Sequence, residues 1–261
     1  MRETTPQVEL IARPSLDLDA LERYLKTVGG EVWLSNRREQ DDEPNPGELL
    51  VEAAGRACYR SWEPGLNPNV TKIRTDRQQY LRNILRSGHG SVLEHANYTF
   101  ILSDVSRVFT HELVRHRAGS AFSQESLRFV RLAELPFRIP DVLEPLRPRI
   151  ISILETLEEF QISAAEELGL DEEGVSFHDK KEATSALRRI APDGVSTMII
   201  WTANIRTLRH VLEMRTAPGA EEELRFVFHR VGEIMKSEAP MLFGDYEVQP
   251  DGSWVSEFRK V

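Results

Sequence analysis

Residues 115–129, RHRAGSAFSQESLRF, hold the chain's densest set of groups able to grip an anion. Arg115, Arg117 and Arg128 carry guanidinium forks that meet phosphate oxygens in pairs, while Ser120, Ser123, Ser126 and nearby backbone N–H groups add neutral donors. Two readings stand side by side. The segment is a phosphate site, or it is a helix C-terminus whose Arg and His side chains complement the helix dipole and then face water.

Other reactive residue types have plainer readings. Cys58 lies in an apolar helical stretch, AAGRACY, without the cationic or His-paired setting that activates a thiol, so it reads as packed core. His111 and His116 are five apart, and His89 and His95 six, which misses the i, i+4 spacing of helical metal ligands; no metal is expected. Glu155, Glu158, Glu159, Glu166 and Glu167 read as a solvated helix face, and Trp201 as core.

The elements that must position these groups follow from hydrophobic period. QVELIAR alternates like a strand, and LDLDALERYLKTVGG reads as a helix stopped by Gly29 and Gly30. Residues 30–48, and most clearly the polar run 35–47, read as a loop or mobile excursion. GELLVEAAGRACY and TDRQQYLRNILRSG show helical spacing, the second ending at Gly88. ANYTFILSD is a half-buried strand that feeds a helix, VSRVFTHELVRHR, ending in Arg115-His116-Arg117. Helices are expected over 148–170 and 177–190, then a strand in VSTMIIWT, a helix capped by Asn204, and a closing amphipathic helix in ELRFVFHRVGEIMKS. Helices and strands mixed without regular βαβ alternation give an α+β fold class.

Composition narrows the function classes. A net charge of -9 and a pI near 5.4 disfavour a general nucleic-acid binder, so any anionic ligand must be held by a local arginine cluster. No apolar run approaches the length of a membrane span, the N-terminus lacks a signal-peptide core, and one cysteine fits a reducing compartment. A cytoplasmic protein bound to neither nucleic acid nor membrane is expected.

Four blocks, in this order, resemble the flavin-dependent thymidylate synthases. GHGSVLEH (88–95) is similar to that family's Gly-His block, and RHR followed by Ser126, Arg128 and Phe129 is similar to its signature. RRIAP (188–192) is similar to its Arg-x-x-x-Pro element, and WTANIRTLRHVLEMR (201–215) to its Asn-x-Arg block with a later Arg. Eight residues, not the family's seven, separate Arg117 from Ser126, and the extra residue is placed at Ala121.

The resemblance implies a single domain over 1–261, an antiparallel sheet flanked by helices, assembled as a homotetramer. It implies that His89, Ser91, Arg115, His116, Arg117, Asn204, Arg206 and His210 bind FAD, His89 from another subunit. It implies that Glu112, Gln124, Glu125, Ser126, Leu127, Arg128, Arg188 and Arg215 bind the nucleotide, with Arg215 catalytic at the uracil edge. The implied reaction methylates uracil C5 of dUMP, taking carbon from 5,10-methylenetetrahydrofolate and hydride from NADPH-reduced FAD. His210, Glu112 and Cys58 depart from residues usual in the family, and the extra loop residue raises UMP as an alternative substrate. A non-catalytic nucleotide-binding flavoprotein is the alternative of another class.

Overall fold

The computed structural model describes residues 1–40, 45–128, 134–259 and 261. In chain order the elements are β1 (Arg2–Glu3), β2 (Gln7–Ala12), α1 (Leu18–Val28), α2 (Glu31–Gln40), α3 (Pro46–Tyr59), α4 (Arg77–Ser87), α5 (Gly90–Leu93), β3 (Asn97–Ser106) and α6 (Arg107–Leu113). They continue with β4 (Ser120–Gln124), β5 (Pro136–Phe137), α7 (Arg147–Glu167), α8 (Phe177–Leu187), β6 (Ser196–Asn204) and α9 (Ile205–Thr216). The chain ends with α10 (Glu222–Glu238), α11 (Pro240–Phe243), β7 (Tyr246–Val248) and β8 (Trp254–Ser256). A four-stranded antiparallel sheet in the order β2-β3-β6-β4, with helices around it, makes the fold α+β.

Two compact units share the chain. Unit 1 contains residues 1–9, 101–116 and 122–201; unit 2 contains 10–100, 117–121 and 202–261. In unit 1, Leu154 of α7 packs with Leu135 and Val195, and the N-terminal ammonium is bound by Glu158 at 2.7 Å. In unit 2, Leu25, Trp33, Leu34, Leu49, Ala53 and Trp62 form one core cluster, and Trp201 of unit 1 is fully buried as expected. Both helix stops read from the sequence hold, for Gly29 and Gly88 take left-handed φ of 73° and 72°.

Several expectations are corrected. Residues 31–40, taken as part of a loop, form α2, with Trp33, Leu34 and Arg37 buried; 41–44 lie outside the described residues. α6 stops at Leu113, so Arg115-His116-Arg117 follow the helix rather than end it. The hydroxyl-rich stretch after them contains strand β4. Cys58 is exposed, because it faces outward on the last turn of α3. Glu158 leaves the solvated row, since it also accepts the Leu135 N–H at 2.5 Å. α10 does not close the chain; the β7–β8 hairpin follows it.

Candidate functional site

In unit 2 the α9 N-terminus organises one set of candidate residues. Asn204 is the N-cap of α9 and accepts the Thr207 N–H at 2.9 Å, while its own N–H donates to Gly119 O at 3.1 Å. The Thr207 hydroxyl donates to Ala118 O at 2.7 Å, so the turn after Arg117 is tied to the helix start. Gly119 has φ +67°, and a Cβ there would collide with the Asn204 and Thr207 side chains. Only glycine satisfies both conditions. Arg117 is exposed on this turn, and Ala121, the residue read as inserted, is exposed in β4.

Arg206 lies across the backbone of Gly90, where an added Cβ would meet its Nε at 2.7 Å, and its guanidinium pairs with Glu94 at 2.6 Å. His89, the residue before α5, stacks on Tyr59 with ring centroids 5.5 Å apart and accepts or donates a 3.2 Å bond to its hydroxyl. Ser91 is exposed one residue beyond Gly90. His210 is exposed one helical turn after Arg206, and half-buried Arg215 lies in the last turn of α9. The opposite side of α9 is anchored by Arg209, which is fully buried and paired to Asp245 at 2.7 Å.

In unit 1 a second set surrounds the start of α6. The Ser106 side chain caps α6, and the Arg107 and Val108 N–H groups donate to Val195 O and Asp193 O at 3.1 and 3.0 Å. Thr110 donates to Arg107 O and bonds Gln124 Nε2 at 3.1 Å. The Glu125 N–H reaches Met198 O at 3.0 Å, which fixes the segment leaving β4 against β6. Ser126 accepts the Arg128 N–H at 3.3 Å, Leu127 is buried, and Arg128 is exposed. Glu112 and His116 are half-buried, Arg115 and Arg188 exposed; Phe129 lies outside the described residues.

Arg107 is the residue that the sequence reading missed. Its Nη1 is buried and has no hydrogen-bond partner among the described residues. Burial first, and then the positive charge of Arg188, push its pKa below the ordinary arginine value, against the pull of Asp193 and Glu125. A buried guanidinium donor left unmet, with a second positive charge acting on it, favours an anion over a cation or a neutral group there. The available signal was the four-residue spacing of Arg107 and His111 along α6, just ahead of the Arg115-His116-Arg117 run.

Residues 42–241 match the family described as thymidylate synthase complementing protein. A flavin-dependent thymidylate synthase of Corynebacterium efficiens is 37% identical over 216 residues, 80% of this chain and 83% of its own. The protein of that name from Mycobacterium marinum is 37% identical over 219 residues, 80% of this chain and 84% of its own. The chain belongs to the flavin-dependent thymidylate synthase family. A further flavin-dependent thymidylate synthase, from Mycobacterium sp. (strain JLS), is 35% identical over 276 aligned positions covering 98% of this chain and 97% of its own. Both residue sets described above fall inside the span that matches the flavin-dependent thymidylate synthase family, whereas β1, β2, α1 and the β7–β8 hairpin fall outside it.

Proposed function

We propose that the chain methylates uracil C5 of dUMP, with 5,10-methylenetetrahydrofolate as carbon donor and NADPH-reduced FAD as hydride source. The observation that carries this reading is the family match over residues 42–241, which holds all four motif blocks; the buried Arg107 Nη1 without a partner among the described residues, under the positive charge of Arg188, supports an anion site in unit 1. Gln124, Glu125, Ser126, Leu127 and Arg128, held along β6 by the Glu125 bond, are the groups to orient the sugar and phosphate, with Glu112.

The donor set of the chain fits a flavin dinucleotide. Ser91, Arg115, His116 and Arg117 would be FAD contacts, and His89, stacked on Tyr59, would face the cofactor of another subunit. Asn204, Arg206 and His210 would flank that system from α9. When bound, FAD supplies the hydride, so no protein nucleophile is required. Arg215 would stabilise negative charge on the N3/O system of the uracil ring, which makes C5 nucleophilic.

Two further features belong to this reading. The family resemblance implies a homotetramer, and α7, which exposes Ile153 (60%) and Phe160 (43%) seven residues apart on one helix face, offers an apolar strip for self-association. All four sheet strands contribute residues to both units, which supports reading 1–261 as one domain, and we place it in the cytoplasm. UMP is the second substrate reading, favoured by the extra residue between Arg117 and Ser126.

The test is anaerobic turnover of dUMP and UMP in parallel by the purified FAD-loaded protein, supplied with NADPH and methylenetetrahydrofolate. Methylation of dUMP that Arg215→Ala abolishes, while leaving the flavin bound, is the expected result. Near-normal turnover in that variant sinks the catalytic assignment. Preference for UMP replaces the substrate, and turnover of neither leaves a non-catalytic nucleotide-binding flavoprotein.

A further inference from the structure

Unit 1 carries a groove of about 450 Å³ along α8, lined at one end by Arg128, which the proposed reaction gives to the nucleotide, and beyond it by His178, Lys181, Glu182, Ser185 and Arg189, which that reaction leaves unused. His178, Lys181, Ser185 and Arg189 recur at intervals of three, four and four residues, which puts them on one side of α8 and of the turn after it. At 1.5 Å of rise per residue the row is roughly 16 Å long. Three cations, Arg128, Lys181 and Arg189, face one carboxylate, Glu182, in a chain whose net charge is -9. A local excess of positive charge against that background selects an anion.

The lining also says which kind of anion. Among the described lining residues His178 is the one ring and Ala186 the one apolar side chain, so those residues offer little surface on which to stack a pterin, a nicotinamide or an adenine. A single phosphate would engage one end of the row and leave the other idle. An extended chain carrying carboxylates at intervals engages all of it, through ion pairs at Lys181 and Arg189 and hydroxyl or imidazole donors between. Folates carry such a chain, their γ-linked glutamates.

We propose that the α8 groove binds the polyglutamate tail of the folate donor. The inference rests on the reading that a folate supplies the carbon. Two exposed ion pairs favour a polyglutamylated donor over the monoglutamate by roughly threefold to thirtyfold at low salt.

The experiment compares mono- and polyglutamylated folates on FAD-loaded protein in two ways. The first is KM for each methylenetetrahydrofolate and for NADPH; the second is calorimetric affinity for each tetrahydrofolate. The proposal expects a lower KM and tighter binding for the polyglutamate, both eroded by salt, and a ratio that returns to near one in Lys181→Glu/Arg189→Glu. Equal values for the two tails in the unaltered protein overturn it. A variant that keeps the ratio but raises the KM of NADPH also overturns it, assigning the groove to the nicotinamide cofactor's phosphate. Absence of methylation would defeat the proposed reaction alone, because the calorimetric comparison still decides the groove.

Discussion

Two arginine clusters among the described residues are built on opposite electrostatic terms. In unit 2, Glu52 is fully buried and accepts from Arg37 at 2.8 and 3.0 Å, Arg56 at 2.8 Å, Arg77 at 3.3 Å and Trp33 at 3.1 Å. Some of the guanidinium donors that remain reach backbone carbonyls, Arg37 to Thr75 and Arg56 to Ser61 and Arg74, while Arg77 Nη2 is buried with no hydrogen bond of its own among the described residues. Arg56 also lies 4.2 Å from the centroid of the Tyr80 ring. In unit 1, Arg107 has a buried N–H without a partner and is depressed by burial and by Arg188. The first cluster is centred on a buried carboxylate of the chain itself and holds the fold. In the second, burial and like charge outweigh Asp193 and Glu125, and a buried donor stays open to an anion.

The sharpest way to break this comparison is to remove the carboxylate. Glu52→Ala leaves three buried guanidiniums facing one another, and loss of one partner of a buried ionic group costs about 3–5 kcal/mol. Denaturant unfolding is expected to show that loss, and a change under about 1 kcal/mol would mean that the carbonyl contacts alone hold the cluster. Acid gives the same answer by titration. Burial opposes ionisation of Glu52, but the Arg37 bond and the charges of Arg56 and Arg37 outweigh it and hold the carboxyl below its ordinary value of 4.5. The stabilisation is therefore complete above about pH 4.5 and drains away as pH falls through the lower folded value. Glu52→Gln is expected to remove this part of the acid sensitivity.

Arg107→Ala should behave in the opposite manner. It relieves an unmet buried donor and a like-charge repulsion, and alanine suits the first turn of α6, so the thermal midpoint is expected to stay level or rise. The nucleotide KM, by contrast, is expected to increase roughly tenfold to a hundredfold, the equivalent of about 1.5–3 kcal/mol for a charged hydrogen bond. A fall in stability with KM unchanged would move Arg107 into the structural class of Arg56.

The same contrast explains how much was legible in the sequence. β2, β3 and β6, the helix stops at Gly29 and Gly88, and the Asn204 cap all follow from local period and capping chemistry, and the structure has them. α2 was not legible because its interior residues include Arg37, which counts as surface until its partner Glu52, fifteen positions on, is known. Arg107 escaped for the converse reason. Its motif neighbours were read as a helix end, while the burial of its Nη1 depends on contacts distant in sequence. Cys58 was read as core because AAGRACY is apolar on average, yet the outward side of a half-buried helix shares that composition.

Cys58 provides the smallest expected effect and a limit on the comparison. It stands on the last turn of α3, one residue before the Tyr59 that backs His89, so it is near a candidate site residue in sequence without being buried. Cys58→Ala at an exposed helical position is expected to change stability by less than about 0.5 kcal/mol. Turnover is expected to remain near that of the unaltered protein, because the proposed reaction takes its hydride from flavin and assigns no step to a thiolate. Complete loss of turnover in the folded variant would restore a cysteine nucleophile. The open arginine cluster of unit 1 would then serve nucleotide binding for a different chemistry, and the flavin-side assignments on α9 would have to be drawn again.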